Sequence, residues 1–358
     1  MPPSRISLPL SYCGPVLLLP RLKTILFTSF VLLTTTSPGL FAAEGKAVVA
    51  TTSVLTNAPG TNDLVEQEFK KLEEDDDAAH EEVDKWIRDN QEFSAKGLGI
   101  PANELNRRIQ ARLDSVRKAY LDFIGRHPNH ARARVAYASF LGDLNEEDAE
   151  QQQLERALQI DPKLPATYNN LANLYGHNGS LNKAFEYYAK AIELSPKESV
   201  YYHNLASTVF LFRKDAREYY HLTEQQVFDK AMDLYHQARK YDPDNFPLAS
   251  DVAQTYYGIK PMRTDEALTE WTNTLAIAHD ELEREGVYIH LARIKLMAGR
   301  FSEARGHLNQ ITNSSFTELQ ELKTKIKRNL EEKEAEAERG TNNPPTTPTT
   351  NAAPKSPL

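Results

Sequence analysis

Four prolines recur in one setting: Arg126-His127-Pro128, Ile160-Asp161-Pro162, Leu194-Ser195-Pro196 and Tyr241-Asp242-Pro243, at intervals of 34, 34 and 47 residues. Proline lacks an amide hydrogen and its ring clashes with the preceding helical turn, so each one ends the helix-like run before it. A period of 34 is long enough for two short helices and their turns, so the chain reads as one helical hairpin per interval. The period constrains shape strongly and ligand weakly.

Superposing the intervals shows what the spacing encodes. Counted from Pro165, the interval 165–198 has Tyr168, Leu171, Ala172, Tyr175, Gly179, Ala184, Tyr188, Ala191 and Pro196 at positions 4, 7, 8, 11, 15, 20, 24, 27 and 32. Large apolar groups at 4, 7, 11 and 24 fill the space between two antiparallel helices. The three alanines let the backbones approach, and Gly179 allows a left-handed turn. These nine residues resemble a complete tetratricopeptide repeat. The resemblance implies an all-α, right-handed superhelical solenoid of antiparallel helix hairpins.

The neighbouring copies are altered. Interval 131–164 keeps Tyr137, Ala138, Leu141, Leu154, Ala157 and Pro162, but has Glu150 where a small residue is expected, with Ala149 beside it, which predicts an altered turn. Interval 199–245 opens with Tyr202, Leu205, Ala206 and Val209 and resumes at Ala231, Tyr235 and Ala238, so 13 residues are inserted between the two helices of one hairpin. Interval 246–284 keeps Val252, Ala253, Tyr256, Ala267 and Trp271 with about two extra residues near Lys260 and Pro261. Interval 285–314 returns to pattern with Tyr288, Leu291, Ala292, Gly299, Ala304, Leu308 and Ile311. Five hairpins are therefore expected over residues 131–314, in one extended domain whose repeats pack only on their neighbours.

The flanks read as the ends of such a stack. Within 62–130, Val65, Phe69, Leu72, Ala79, Val83 and Trp86 predict one or two amphipathic helices, and Leu105 to Gly125 predicts a partner helix for the first full repeat. Phe316, Leu319, Leu322, Ile326 and Leu330 give a narrow apolar stripe on a charged capping helix over 315–339. The Pro- and Thr-rich 340–358 has almost nothing to bury and reads as a disordered tail.

At the other end, residues 1–43 carry Arg5, Arg21 and Lys23 but no acid, then an apolar stretch from Ile25 to Leu33 and small residues near Ala42 and Ala43. This predicts a secretory signal peptide, followed by a linker over 44–61, and export to the periplasm or beyond; a cytoplasmic scaffold is the alternative. The apolar stretch is too short for a stable transmembrane anchor. The sole cysteine, Cys13, lies in that leader, so the mature chain would hold no disulfide. Without the three leader cations the balance is 39 basic against 50 acidic side chains, which argues against nucleic acid as a partner.

Catalytic constellations are absent from the pattern. His80-Glu81-Glu82-Val83-Asp84 has the shape of a zinc-protease helix but places Asp84 where the second histidine belongs, so a solvated acidic helix face is expected. Glu73 to Asp77 lacks the alternating ligands and glycine of a calcium loop and reads as solvent-facing. His279, Asp280 and His290 have no nucleophile beside them, and there is no glycine-rich phosphate loop. No cofactor, no metal and no enzymatic role are expected, with a metal-dependent enzyme as the alternative.

What remains is recognition. The resemblance implies that the first helices of successive hairpins line an inner wall, with positions 2, 5, 9, 12 and 13 facing it. Those positions include Asn169, Asn173 and His177, then His203, Ser207 and Phe210, then Gln254 and Tyr257. Amides and imidazoles beside aromatics suit an extended protein segment or peptide. Asn170 and Asn204 fall at position 6, where carboxylate-clamping repeats use asparagine, but the lysines or arginines such a clamp needs are replaced by Asn169 and His203. A carbohydrate or envelope polymer is the alternative ligand, stacked on Tyr175, Tyr257 and Trp271. In the insertion, Phe212, Arg217, Tyr219 and Tyr220 form a second candidate contact, or else an extension packed on the next repeat; Thr223-Glu224-Gln225-Gln226 predicts a helix start with a reciprocal cap. Partner identity and oligomeric state are not encoded in any motif.

Overall fold

The computed structural model describes residues 61–313 and 317–342, and all regular structure among them is helical. The leader, the linker up to residue 60, Phe316 and the tail beyond 342 lie outside the described residues. The chain divides into two compact units, the first closing at Tyr241 and the second opening at Asp242. Repeats that pack only on their neighbours share no central core, so such a stack can divide at a hairpin boundary.

The first unit begins with one helix of 35 residues, α1 (Thr61–Ala95), paired with α2 (Ala102–Arg126). Phe69, Leu72, Ala79, Val83 and Ile87 of α1 pack with Leu105, Ile109, Leu113, Val116, Tyr120 and Phe123 of α2. Hairpins α3/α4 (Ala131–Asp143, Glu147–Ile160) and α5/α6 (Pro165–His177, Leu181–Leu194) follow, each second helix ending one residue before the Asp-Pro or Ser-Pro pair. The third hairpin pairs α7 (Ser199–Leu211) with α9 (Glu224–Tyr241), and the insertion forms a short α8 (Arg213–Tyr220) between them.

The hairpin turns share one device. Gly179 has φ +73° and Gly299 φ +72°, the left-handed region that a Cβ disfavours. Asn145, at the same position of the first hairpin, has φ 60°, because asparagine tolerates this region better than other side chains. The turn before Glu150 is therefore not altered as expected. Glu150 is accommodated from the facing helix, where Gly142 leaves the space: a Cβ there would stand 2.9 Å from a Glu150 carboxylate oxygen.

In the second unit, α10 (Phe246–Thr255) runs into a 3₁₀ turn (Tyr256–Gly258) and pairs with α11 (Thr264–Ala276), so the extra residues near Lys260 are taken up in the connection. Hairpin α12/α13 (Glu281–Met297, Phe301–Asn309) is covered by α14 (Thr317–Asn342), which buries Leu319, Ile326 and Leu330 against Leu296, Leu308 and Ile311. Arg305 pairs with Glu334 across that contact. Helix α14 extends three residues past the expected boundary at Arg339.

Candidate functional site

In the first unit the first helices lie close to one another, α1 beside α3, α3 beside α5 and α5 beside α7, and this nearness makes them the inner wall of the stack. Sequence spacing marks α1 only as an end piece, yet it occupies the inner positions of the first hairpin. Arg132 Nη1 donates to Glu66 at 2.7 Å, and His80 Nε2 lies 3.6 Å from Asp143. The open part of the wall therefore begins at α5.

On α5 and α7 the predicted residues meet as a chain of amides. Asn204 Nδ2 donates to Asn169 Oδ1 at 3.0 Å, and Asn169 Nδ2 donates to Asn170 Oδ1 at 3.2 Å. Asn169 is thereby buried and serves to orient its neighbours, while Asn170 and Asn204 stay half-exposed. Asn173 Oδ1 accepts from Tyr188 Oη at 2.6 Å, fixing another half-exposed amide, and His177 is exposed at the helix end. His203 is half-exposed with its ring 5.8 Å from that of Tyr235.

Two residues expected on the open wall are not accessible. Ser207 is buried with its hydroxyl 3.0 Å from Tyr235 Oη. Phe210 is buried with its ring 6.0 Å from Phe228 and Arg213 over it at 5.1 Å. Both corrections have the same cause: α8 and α9 close over this end of α7, so its inner positions become core.

In the second unit, Gln254 and Tyr257 are half-exposed, and Tyr257 Oη lies 3.1 Å from His290 Nδ1. His290 stacks on Trp271 at 4.0 Å with the rings 6° from parallel. Burial lowers the His290 pKa to about 3, with the Arg293 charge adding to the effect. Trp271 is buried under this stack, and Tyr175 is packed edge-on to Tyr187 under Lys183. The aromatic platforms expected for a carbohydrate are thus largely spent on packing. His279, by contrast, is exposed and paired with Glu283 at 3.0 Å.

Helix α1 also corrects the expectation for its acidic run and His80. His80 is buried, with Nδ1 3.0 Å from both the Asp76 backbone oxygen and its carboxylate, and Tyr120 Oη donates to Asp76 at 2.7 Å. Burial opposes the His80 charge, but the Asp76 hydrogen bond and the charges of Asp76 and Asp143 hold its pKa above the ordinary value. Glu73 is largely buried, which raises its pKa to about 7 even though Arg132 counteracts the shift. A polar seam replaces the solvated face because Glu73, Asp76 and His80 interleave with Phe69, Leu72, Ala79 and Val83 at helical spacing. That spacing is the signal available in the sequence. Among the described residues no group of three or more His, Cys, Asp or Glu is arranged to hold a metal ion.

The insertion packs on the preceding hairpin. Tyr219 and Tyr220 lie 5.2 and 5.3 Å from Phe185 of α6, in the preceding hairpin, and Lys230 lies over Tyr220 at 4.2 Å. Phe212 is half-buried and Arg217 exposed. Thr223 caps α9 as expected: its amide donates to Gln226 Oε1 at 2.9 Å, and the Gln226 amide donates back to Thr223 Oγ1 at 3.4 Å.

Residues 165–198 match the tetratricopeptide repeat family model. No curated protein matches the chain. Among solved structures, YrrB, a tetratricopeptide protein with an unusual peptide-binding site, is 13% identical with a TM-score of 0.42, covering 59% of this chain and 98% of its own. PilF from Pseudomonas aeruginosa is 14% identical at 0.44, covering 69% and 99%. TTC0263 from Thermus thermophilus is 19% identical at 0.40, covering 55% and 98%.

Proposed function

We propose that this chain is a non-enzymatic scaffold that binds an extended segment of a partner protein along the open inner wall of its first unit, at Asn170, Asn173, His177, His203 and Asn204. The observation that carries the reading is the amide chain from Asn204 through Asn169 to Asn170. It leaves the side-chain Oδ1 of Asn204 as an acceptor and the side-chain Nδ2 of Asn170 as a donor, while the Asn204 backbone oxygen is taken by Thr208 Oγ1. A peptide backbone offers the complementary N–H and C=O. Both outer amides are already oriented by the inner one, so little side-chain freedom is lost on binding.

The test is a peptide array probed with the full chain and with an Asn170→Ala, Asn204→Ala, His203→Ala variant. Loss of the bound set with an unchanged thermal midpoint supports the wall, and an unchanged set overturns it. We further propose that the protein acts after export, on the basis of the cationic, acid-free leader and its apolar stretch. No described helix is long and apolar enough to cross a membrane. N-terminal sequencing of protein from the producing cell tests this: a mature start near residue 44 supports export, and an intact Met1 opposes it.

A further inference from the structure

The tip of the third hairpin carries a feature that the inner wall does not use. Where α7 gives way to α8, a cavity of about 350 Å³ opens, lined by the apolar Leu211 and Phe212 and by the basic Arg213, Lys214 and Arg217. Its size falls at the lower end of ligand-binding clefts. Arg213 is fixed in place: Nη1 donates to the Phe210 carbonyl at 3.0 Å, and the guanidinium lies over the rings of Phe210 and Phe228 at 5.1 and 5.6 Å. Lys214 and Arg217 are exposed and have no ionic partner among the described residues. This contrasts with Arg112, Arg117, Arg126 and Arg132, each of which is paired with a carboxylate.

Two carboxylates, Asp215 and Glu224, also line the cavity. They sit in the first turns of α8 and α9, where the helix dipole favours negative charge. Three cations against two anions leave one positive charge, matched to one carboxylate and not to an acidic run.

We propose that this cavity binds a single carboxylate flanked by an apolar side chain on a partner peptide, at a site separate from the inner wall. A guanidinium held in advance receives the carboxylate by charge-assisted hydrogen bonds, Lys214 and Arg217 close on it, and the apolar neighbour rests against Leu211 and Phe212. The carboxylate comes either from a chain terminus or from an Asp or Glu side chain.

Fluorescence anisotropy with the full chain separates the possibilities. The probes are labelled hexapeptides: one ending in Leu-Phe with a free carboxylate, the same peptide amide-capped, and an amide-capped peptide with an internal Glu-Phe. Binding of the free acid or of the Glu-Phe peptide at least about tenfold tighter than the capped Leu-Phe control supports the site, and identifies the carboxylate source. The Lys214→Ala, Arg217→Ala variant should lose that margin with an unchanged thermal midpoint. The Asn170→Ala, Asn204→Ala variant should keep it, so failure here and failure of the inner-wall reading are distinguishable. Equal binding of the capped control, no binding of any probe below about 1 mM, or full binding by the Lys214/Arg217 variant overturns the proposal.

Discussion

Replacing Glu73 by Gln should stabilise the protein, and by an amount that depends on pH. The Glu73 side chain is 18% exposed, one of its oxygens is buried without a hydrogen-bond partner, and Arg132 approaches the other only to 3.9 Å. Its pKa rises from 4.5 to about 7, desolvation being the largest cause. A carboxyl whose folded pKa lies above its unfolded value costs nothing where both states are neutral, below about 4.5. It costs the full difference where both are ionised, above about 7. At 1.36 kcal/mol per pH unit, that difference is about 3 kcal/mol. Glu73→Gln removes the charge and keeps the shape, so its advantage over the wild type should be about 3 kcal/mol at pH 8.5 and about 1.5 kcal/mol at pH 5.5. Urea denaturation followed by circular dichroism at both pH values measures it. Taking the difference between the two proteins cancels the opposing contributions of His80, which is favoured protonated, and His130, whose burial lowers its pKa. A variant less stable than the wild type at pH 8.5 would refute the reasoning and show that the Arg132 contact outweighs desolvation, and an advantage independent of pH would refute it by showing that the gain does not come from the charge.

Three further outcomes are expected. Tyr219→Ser with Tyr220→Ser should lower the thermal midpoint by several degrees in differential scanning calorimetry, because both rings pack on Phe185; an unchanged midpoint would return them to the surface. Gly179→Val should cost on the order of 1–2 kcal/mol in urea denaturation, since φ is +73° there, whereas Asn145→Gly should be nearly neutral at φ 60°. His290 should show no titration between pH 5 and 8 in heteronuclear NMR, because burial and Arg293 hold its pKa near 3; a midpoint near 6.5 would mean the Trp271 stack is open to water.

Much of the architecture is local and therefore legible in order. Prolines 162, 196 and 243 end helices through their own covalent structure, and Ala172, Ala184 and Ala191 are buried where the helices cross. Glycine at 179 and 299 reports a backbone angle that any reader of the chain can anticipate. The position-15 rule even explains Asn145, once the small set of residues tolerant of left-handed angles is considered. The site is less legible. Spacing puts Asn169 and Asn170 on the right helix, yet which amide is spent on the other depends on Asn204, a full repeat away.

The helices, their turns and the hairpin pairing can be read from the order of residues, because they follow from spacing, backbone angle and the size of side chains a few residues apart. Which inner positions stay open is fixed by long-range packing. Helix α1 covers the first hairpin, and α8 and α9 bury Ser207 and Phe210. Each of these depends on contacts between residues distant in the chain, where a helical period says which face is apolar but not what comes to lie upon it.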